Sequence, residues 1–142
     1  MAYDDTLPGK PWDALVQIRN EVDIVVARQK GRGLAAQLNF SLGELALIAT
    51  AISEVARNII EYAVQGEIGL RLIEANGRRG IMVVAHDNGP GIADIEKAMQ
   101  DGYSTGSGLG VGLPGARRLM DEFEIRSVVP TGTTITMKKW AG

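Results

Sequence analysis

The chain has no cysteine among its 142 residues. That excludes disulfide staples, thiolate metal sites and a cysteine nucleophile, and it fits an intracellular setting. Histidine is almost as scarce. His86 is the only one; it closes an apolar run with no partner nearby in sequence and reads as a packed or hydrogen-bonded structural residue. Charge of one sign is not in excess either. Fifteen basic against 17 acidic residues leave a formal charge of −2, which gives no pull toward nucleic acid or an anionic membrane surface. The first residues, MAYDDTLPGKPW, hold no secretory h-region, and no run approaches the roughly 18 apolar residues of a membrane span. The expected location is the cytoplasm, with no membrane and no nucleic-acid partner. Two nucleotide signatures are missing as well. Neither GxxxxGK[ST] nor the H-R-D and D-F-G triplets occur, which excludes a P-loop and the kinase fold that carries those triplets.

What is present is an ordinary globular balance of 45% hydrophobic and 23% charged residues, in a length that suits one domain with a real core. Residues 1–11 read as a flexible polar tail and 12–142 as a single domain. Trp12–Arg19 has the pattern of a strand. From Glu21 to Leu38 the apolar positions fit a helix, which Gly31 and Gly33 weaken by roughly 1 kcal/mol each against alanine. Ser41 and Glu44 form a capping box. Behind them Leu45, Ile48, Ile52, Val55 and Ile59 recur at helical spacing, predicting a strong amphipathic helix that ends near Tyr62–Ala63. Glu67–Glu74 and Gly80–His86 are β-patterned runs joined through Asn76-Gly77, a good hairpin turn. A short helix at Ile92–Gln100, a helix over the apolar run Ala116–Phe123, and strands at Phe123–Val129 and Thr133–Lys139 complete the order. The expectation is an α+β two-layer sandwich: a mixed, mostly antiparallel sheet with helices on one face.

Three stretches carry candidate chemistry. Gly102–Gly115 holds six of the 18 glycines and runs into a helix. Such a loop lets backbone approach a ligand, and free N–H groups of a first helical turn attract phosphate; a plain surface loop would look the same. Glu54 and Asn58 project from one side of the main helix, where a carboxamide oxygen suits Mg²⁺ and a carboxylate can orient or deprotonate a nucleophile. Most exposed Glu–Asn pairs, however, are only solvated surface. Asp87-Asn88-Gly89-Pro90-Gly91 follows the most apolar strand. It is either a turn or a place where Asp87 accepts a hydrogen bond from a ligand amine while Gly89 and Gly91 admit a flat ring, demands that adenine meets. Gly110, Gly112 and Gly115 satisfy GxGxxG literally, but no strand precedes them and Pro114 lies inside, so a dinucleotide fold does not follow.

Taken in order, these pieces resemble one superfamily. ISEVARNIIEYA resembles the N-box, DNGPG the first glycine box and GSGLGVGLPG the second glycine box of the Bergerat-fold ATP-binding proteins, which include gyrase, histidine kinases and MutL. The wording AMQDGYSTG, GLPGARRLMDEFEI and GTTITMKKW is similar in particular to the stressosome serine/threonine kinases, relatives of the anti-sigma factor kinases. The similarity runs from about Ser41 to Trp140. It implies ATP and Mg²⁺ as cofactors. It makes Glu54 the base or nucleophile-orienting residue, Asn58 the magnesium ligand, Asp87 the acceptor for the adenine amine, and Gly91 the glycine beneath the ring beside Gly89. Ser104, Thr105, Gly106, Gly108, Leu109, Gly110 and Gly112 would form a mobile lid and helix start around the phosphates, and Thr133 would lie near adenine. Arg57 is either a phosphate or substrate contact or a surface partner of Glu61.

The resemblance also implies an activity: transfer of phosphate to a serine or threonine of a STAS-domain partner, part of a stressosome scaffold or an anti-sigma antagonist, with release of the kinase to a second regulatory protein. An ATP- or ADP-dependent anti-sigma factor or adaptor is the alternative. A histidine-kinase catalytic domain fits less well, because no helical hairpin with a phosphoacceptor histidine is present.

Overall fold

A computed structural model describes residues 11–63, 65–92, 95–99 and 112–142. The described elements are β1 (Ala14–Ile18), α1 (Glu21–Ala35), α2 (Leu42–Tyr62), β2 (Gly66–Ala75), β3 (Arg78–Asp87), α3 (Ile95–Ala98), α4 (Gly112–Leu119), β4 (Glu122–Val128) and β5 (Gly132–Trp140). The strands form one sheet in the order β1-β2-β3-β5-β4. Every neighbouring pair is antiparallel, so the expected mixed, mostly antiparallel sheet is antiparallel throughout. Hairpins make the β2–β3 and β4–β5 pairs, and placing β5 between β3 and β4 leaves β3 as the central strand.

Helix α2 is the spine of the second layer. Ser41 Oγ accepts from the Glu44 N–H at 3.1 Å and Glu44 Oε1 accepts from the Ser41 N–H at 2.9 Å, the predicted capping box. Ile48, Ile52, Val55 and Ile59 are fully buried against Ile68, Leu70, Ile81, Val83, Ile135 and Met137 of the sheet. Burying each such side chain is worth about 1.5–3 kcal/mol, which is what holds the layers together. Helix α1 has a second capping box, Asn20 with Asp23. Gly31 is buried where α1 crosses α2, and a Cβ there would collide with Ile52 Cδ1; the residue that weakens the helix is what lets it pack.

The β2–β3 turn has positive φ at both Asn76 (54°) and Gly77 (77°), as a type I′ hairpin requires. Element boundaries shift modestly elsewhere. β1 is shorter than Trp12–Arg19, α1 stops at Ala35 rather than Leu38, and the helix expected within Ile92–Gln100 is the single turn Ile95–Ala98. One shift matters for function. The helix expected over Ala116–Phe123 is Gly112–Leu119. Pro114 is tolerated in a first turn because no intrahelical bond is owed there, and Phe123 is taken by β4, where it pairs with Met137. Helix α4 therefore begins inside the glycine box rather than after it. No helix among the described residues is long and apolar enough to cross a membrane.

Candidate functional site

The predicted site residues fall into two groups, both lying along α2. The first sits at mid-helix. Glu54 is 7% exposed. Its Oε2 accepts from Arg57 Nη1 at 3.0 Å, and its Oε1 accepts from the Gly112 N–H, also at 3.0 Å. Two positive ends, a guanidinium and the first amide of α4, thus converge on one carboxylate. Each oxygen keeps a further lone pair. Arg57 takes this buried neighbour in preference to Glu61, the partner expected from spacing; Glu61 is exposed, and an ion pair in water is worth little. Asn58 lies one turn beyond Glu54 at 8% exposure, and its carboxamide has no protein hydrogen bond among the described residues. Also among those residues, no group of three or more His, Asp or Glu side chains could hold a metal ion.

The second group closes the end of β3. Asp87 is 5% exposed, and its Oδ1 accepts from the Gly89 N–H at 2.9 Å and from the Thr133 N–H at 3.3 Å. Antiparallel register sets Thr133 directly opposite Asp87. Glycine is required around this carboxylate. A Cβ on Gly89 would stand 2.6 Å from Ala63 Cβ at the end of α2; Gly91 has φ +81°; and at Gly132, with φ +140°, a Cβ would strike the Asp87 carbonyl. The DNGPG turn is therefore packed onto the C-terminal end of α2, while Glu54 reaches α4 from the same helix. Ser104, Thr105, Gly106, Gly108, Leu109 and Gly110 lie outside the described residues.

His86 points to the opposite sheet face from Asp87, and its Nδ1 is hydrogen-bonded to Thr134 Oγ1 at 2.8 Å, in keeping with a structural role. A polar cleft of about 270 Å³ lined by Gln17, Arg19, Glu67, His86 and Asn88 among others contains none of the predicted site residues. One residue in the second group carries no sequence signal. Ser127 Oγ, on β4, touches the Ile92 N–H at 2.6 Å, Thr133 Oγ1 at 2.8 Å and the Gly132 carbonyl at 3.2 Å. A serine in a β-patterned run looks like any other, and only the β4–β5 register makes it a neighbour of Thr133.

Comparison with known proteins gives the family. Over 125 residues the chain is 53% identical to the serine/threonine-protein kinase RsbT of Bacillus subtilis, covering 88% of this chain and 94% of the relative. It is 37% identical to the anti-sigma F factor of a Thermoanaerobacter species, covering 82% and 84%. Two solved structures share the fold. The RsbU and RsbW domains of a Mycobacterium tuberculosis protein match at a TM-score of 0.56 and 20% identity, over 89% of this chain and 32% of that one. A mycobacterial sensor histidine kinase, MprB, matches at 0.54 and 17%, over 89% and 96%. The profile of the histidine kinase-like ATPase domain matches residues 18–139, which takes in α1, where no motif was legible. The chain belongs to the histidine kinase-like ATPase domain family.

Proposed function

We propose that this protein is an ATP-dependent serine/threonine protein kinase acting on a STAS-domain partner of a stressosome or anti-sigma pathway, with residues 12–142 as its single catalytic domain behind the tail 1–11. The observation that carries the reading is Glu54. A nearly buried carboxylate held between Arg57 and the first amide of α4, one turn from a carboxamide with no protein hydrogen bond among the described residues, has the position and lone pairs to receive a hydroxyl proton. The similarity to a named serine/threonine kinase supports the same choice.

Bound Mg·ATP supplies the phosphoryl group and the cation that neutralises its oxygens. Asp87 receives the adenine amine through Oδ2, since Oδ1 is already committed to two backbone amides. Gly89 and Gly91 leave room for the ring, and Thr133 flanks it. Asn58 would hold the magnesium through its carboxamide oxygen. One neutral protein ligand is enough for an ion that keeps waters and phosphate oxygens as its other partners. Residues 104–112 would supply backbone N–H groups to the phosphates, anion donors without side-chain cost. The Gly112 N–H, given to Glu54 in this structure, would be shared with a phosphate oxygen at the start of α4. Glu54 orients the incoming serine or threonine and accepts its proton, and Arg57 keeps the carboxylate in place. Positioning and charge neutralisation of this kind are most of what phosphoryl transfer needs. We place the protein in the cytoplasm and expect it to pass to a second regulatory partner once its substrate is phosphorylated.

Incubation with a STAS partner and labelled ATP tests the reading. Label on a serine or threonine of the partner is expected; absence of label from folded, ATP-bound protein would refute it. The similarity to anti-sigma F factors favours one second reading, a nucleotide-dependent sigma-binding module. ADP-dependent co-elution with a sigma factor would support that instead.

A further inference from the structure

We infer that Lys139 is a positioning residue for the phosphate end of the nucleotide site: it pins the last turn of α4 so that the first amide of that helix stays beside Glu54. The inference rests on the nucleotide-site reading above. It starts from an anomaly in the core pattern of β5. Thr133, Ile135, Met137 and Lys139 form the alternate row that faces the helices, and all four are buried. Ile135 and Met137 belong in such a row and Thr133 closes it beside Asp87. A lysine does not belong there, because burying an ammonium is costly unless it is paired. Lys139 is only 9% exposed. Its Nζ donates to the Leu119 carbonyl at 3.0 Å and lies 3.8 Å from Asp121 Oδ1. Leu119 is the last residue of α4, where carbonyls have no intrahelical partner and the helix dipole favours a cation.

The chain just after α4 is tied to the same stretch of β5. The Asp121 N–H donates to the Lys138 carbonyl at 2.9 Å, and Asp121 Oδ2 accepts from the Trp140 N–H at 2.7 Å. At its other end α4 gives the Gly112 N–H to Glu54 Oε1 at 3.0 Å. The helix has eight residues, a rod of about 12 Å at 1.5 Å per residue, so a shift at one end is felt at the other. Leu113 and Ala116 pack it into the core, but apolar contacts are non-directional and do not by themselves fix a position along the helix axis. The polar bonds at the two ends do. Once a phosphate oxygen shares the Gly112 N–H, the Lys139 bond is the directional contact on α4 that the ligand leaves untouched. A cation at the C-terminal end and phosphates at the N-terminal end also complement the same dipole. Lys139 touches no ligand itself; it acts through α4.

The test is equilibrium binding of ATP and of adenosine to the full chain, for wild type, Lys139→Met and Lys139→Arg. Methionine keeps most of the length and packing and removes the bond to Leu119. The adenine end, at the Asp87–Thr133 pair, lies six residues along β5 from Lys139, about 20 Å at strand rise. Adenosine should therefore bind Lys139→Met within about twofold of wild type, while ATP should bind about tenfold more weakly. Lys139→Arg keeps a cation and its N–H donors and should hold the ATP-to-adenosine affinity ratio near that of wild type. A lysine that served only the fold would change stability and leave the ratio alone, so an unchanged ratio in folded Lys139→Met overturns the inference. Should the methionine variant fail to fold, Lys139→Gln, uncharged and shorter, carries the same expectation and the same refutation. A folded wild-type protein that bound neither ATP nor adenosine would overturn the nucleotide-site reading itself, an outcome separate from an unchanged ratio.

Discussion

Asparagine in place of Asp87 exchanges one atom and one charge at the closed end of β3, and the structure separates its two consequences. The inner oxygen, Oδ1, holds the N–H groups of Gly89 and Thr133 at 2.9 and 3.3 Å. An asparagine keeps an oxygen there, because the flipped amide would set its own N–H₂ against two donors. The cost to the fold should stay under about 1 kcal/mol. Toward the ligand the result reverses: Oδ2 becomes a donor facing an amine. Losing a charge-assisted hydrogen bond and gaining a repulsion should cost roughly 2–4 kcal/mol, about 30- to 1,000-fold in ATP affinity. Alanine behaves differently. It leaves two backbone amides unpaired beside a residue that is 5% exposed, at about 1–3 kcal/mol each, so the fold should lose roughly 2–6 kcal/mol. Urea denaturation and titration calorimetry with ATP, run on both variants, read the two effects apart. A folded Asp87→Asn protein that binds ATP within a few-fold of wild type would refute the ligand assignment. An Asp87→Ala protein as stable as wild type would refute the account of Oδ1.

Three further outcomes follow from the same contacts. Glu54→Gln retains an oxygen for the Gly112 N–H but loses both the ion pair with Arg57 and the proton acceptor; ATP binding should persist while phosphoryl transfer to a STAS partner falls at least ~100-fold, and persistent transfer would show that Glu54 is not the base. Gly33→Ala and Gly31→Ala should move stability in opposite directions by chemical denaturation. A Cβ at Gly33 meets nothing within 4 Å, whereas at Gly31 it meets Ile52, so the first should stabilise by about 0.5–1 kcal/mol through helix propensity and the second should destabilise by roughly 1–3 kcal/mol through overpacking. Gly132→Ala forces a Cβ onto the Asp87 carbonyl at φ +140° and should lower the unfolding free energy by at least ~2 kcal/mol; a smaller loss would mean that the β3–β5 junction relaxes.

Much of this protein was legible where a pattern repeats within a few residues. The 3,4 spacing from Leu45 to Ile59 names α2 because helix geometry returns those positions to one face. Ser41 and Glu44 mark its start, since both partners of the capping box lie within one turn. Asn76-Gly77 marks the hairpin because few other dipeptides accept positive φ twice. Boundaries were less legible where two elements compete for the same residues. The run Ala116–Phe123 is apolar enough for helix, but β5 claims Phe123 through Met137, and the helix moves back into the glycine box. Gly31 reads as a flaw in α1 until Ile52 is packed against it.

Local sequence was thus sufficient for the elements, the order of layers and the three motifs, because period and turn chemistry act over short distances. The working arrangement of the site depends on long-range contacts that spacing cannot encode. Arg57 could reach Glu54 or Glu61 from its place on α2, and burial selects Glu54. Gly112 meets Glu54 across 58 residues because α4 docks on α2. Ser127 and Thr133 meet beside Asp87 only once β4, β5 and β3 are in register. Register and docking are properties of the closed core, where every apolar row must find its partner before these polar groups can meet.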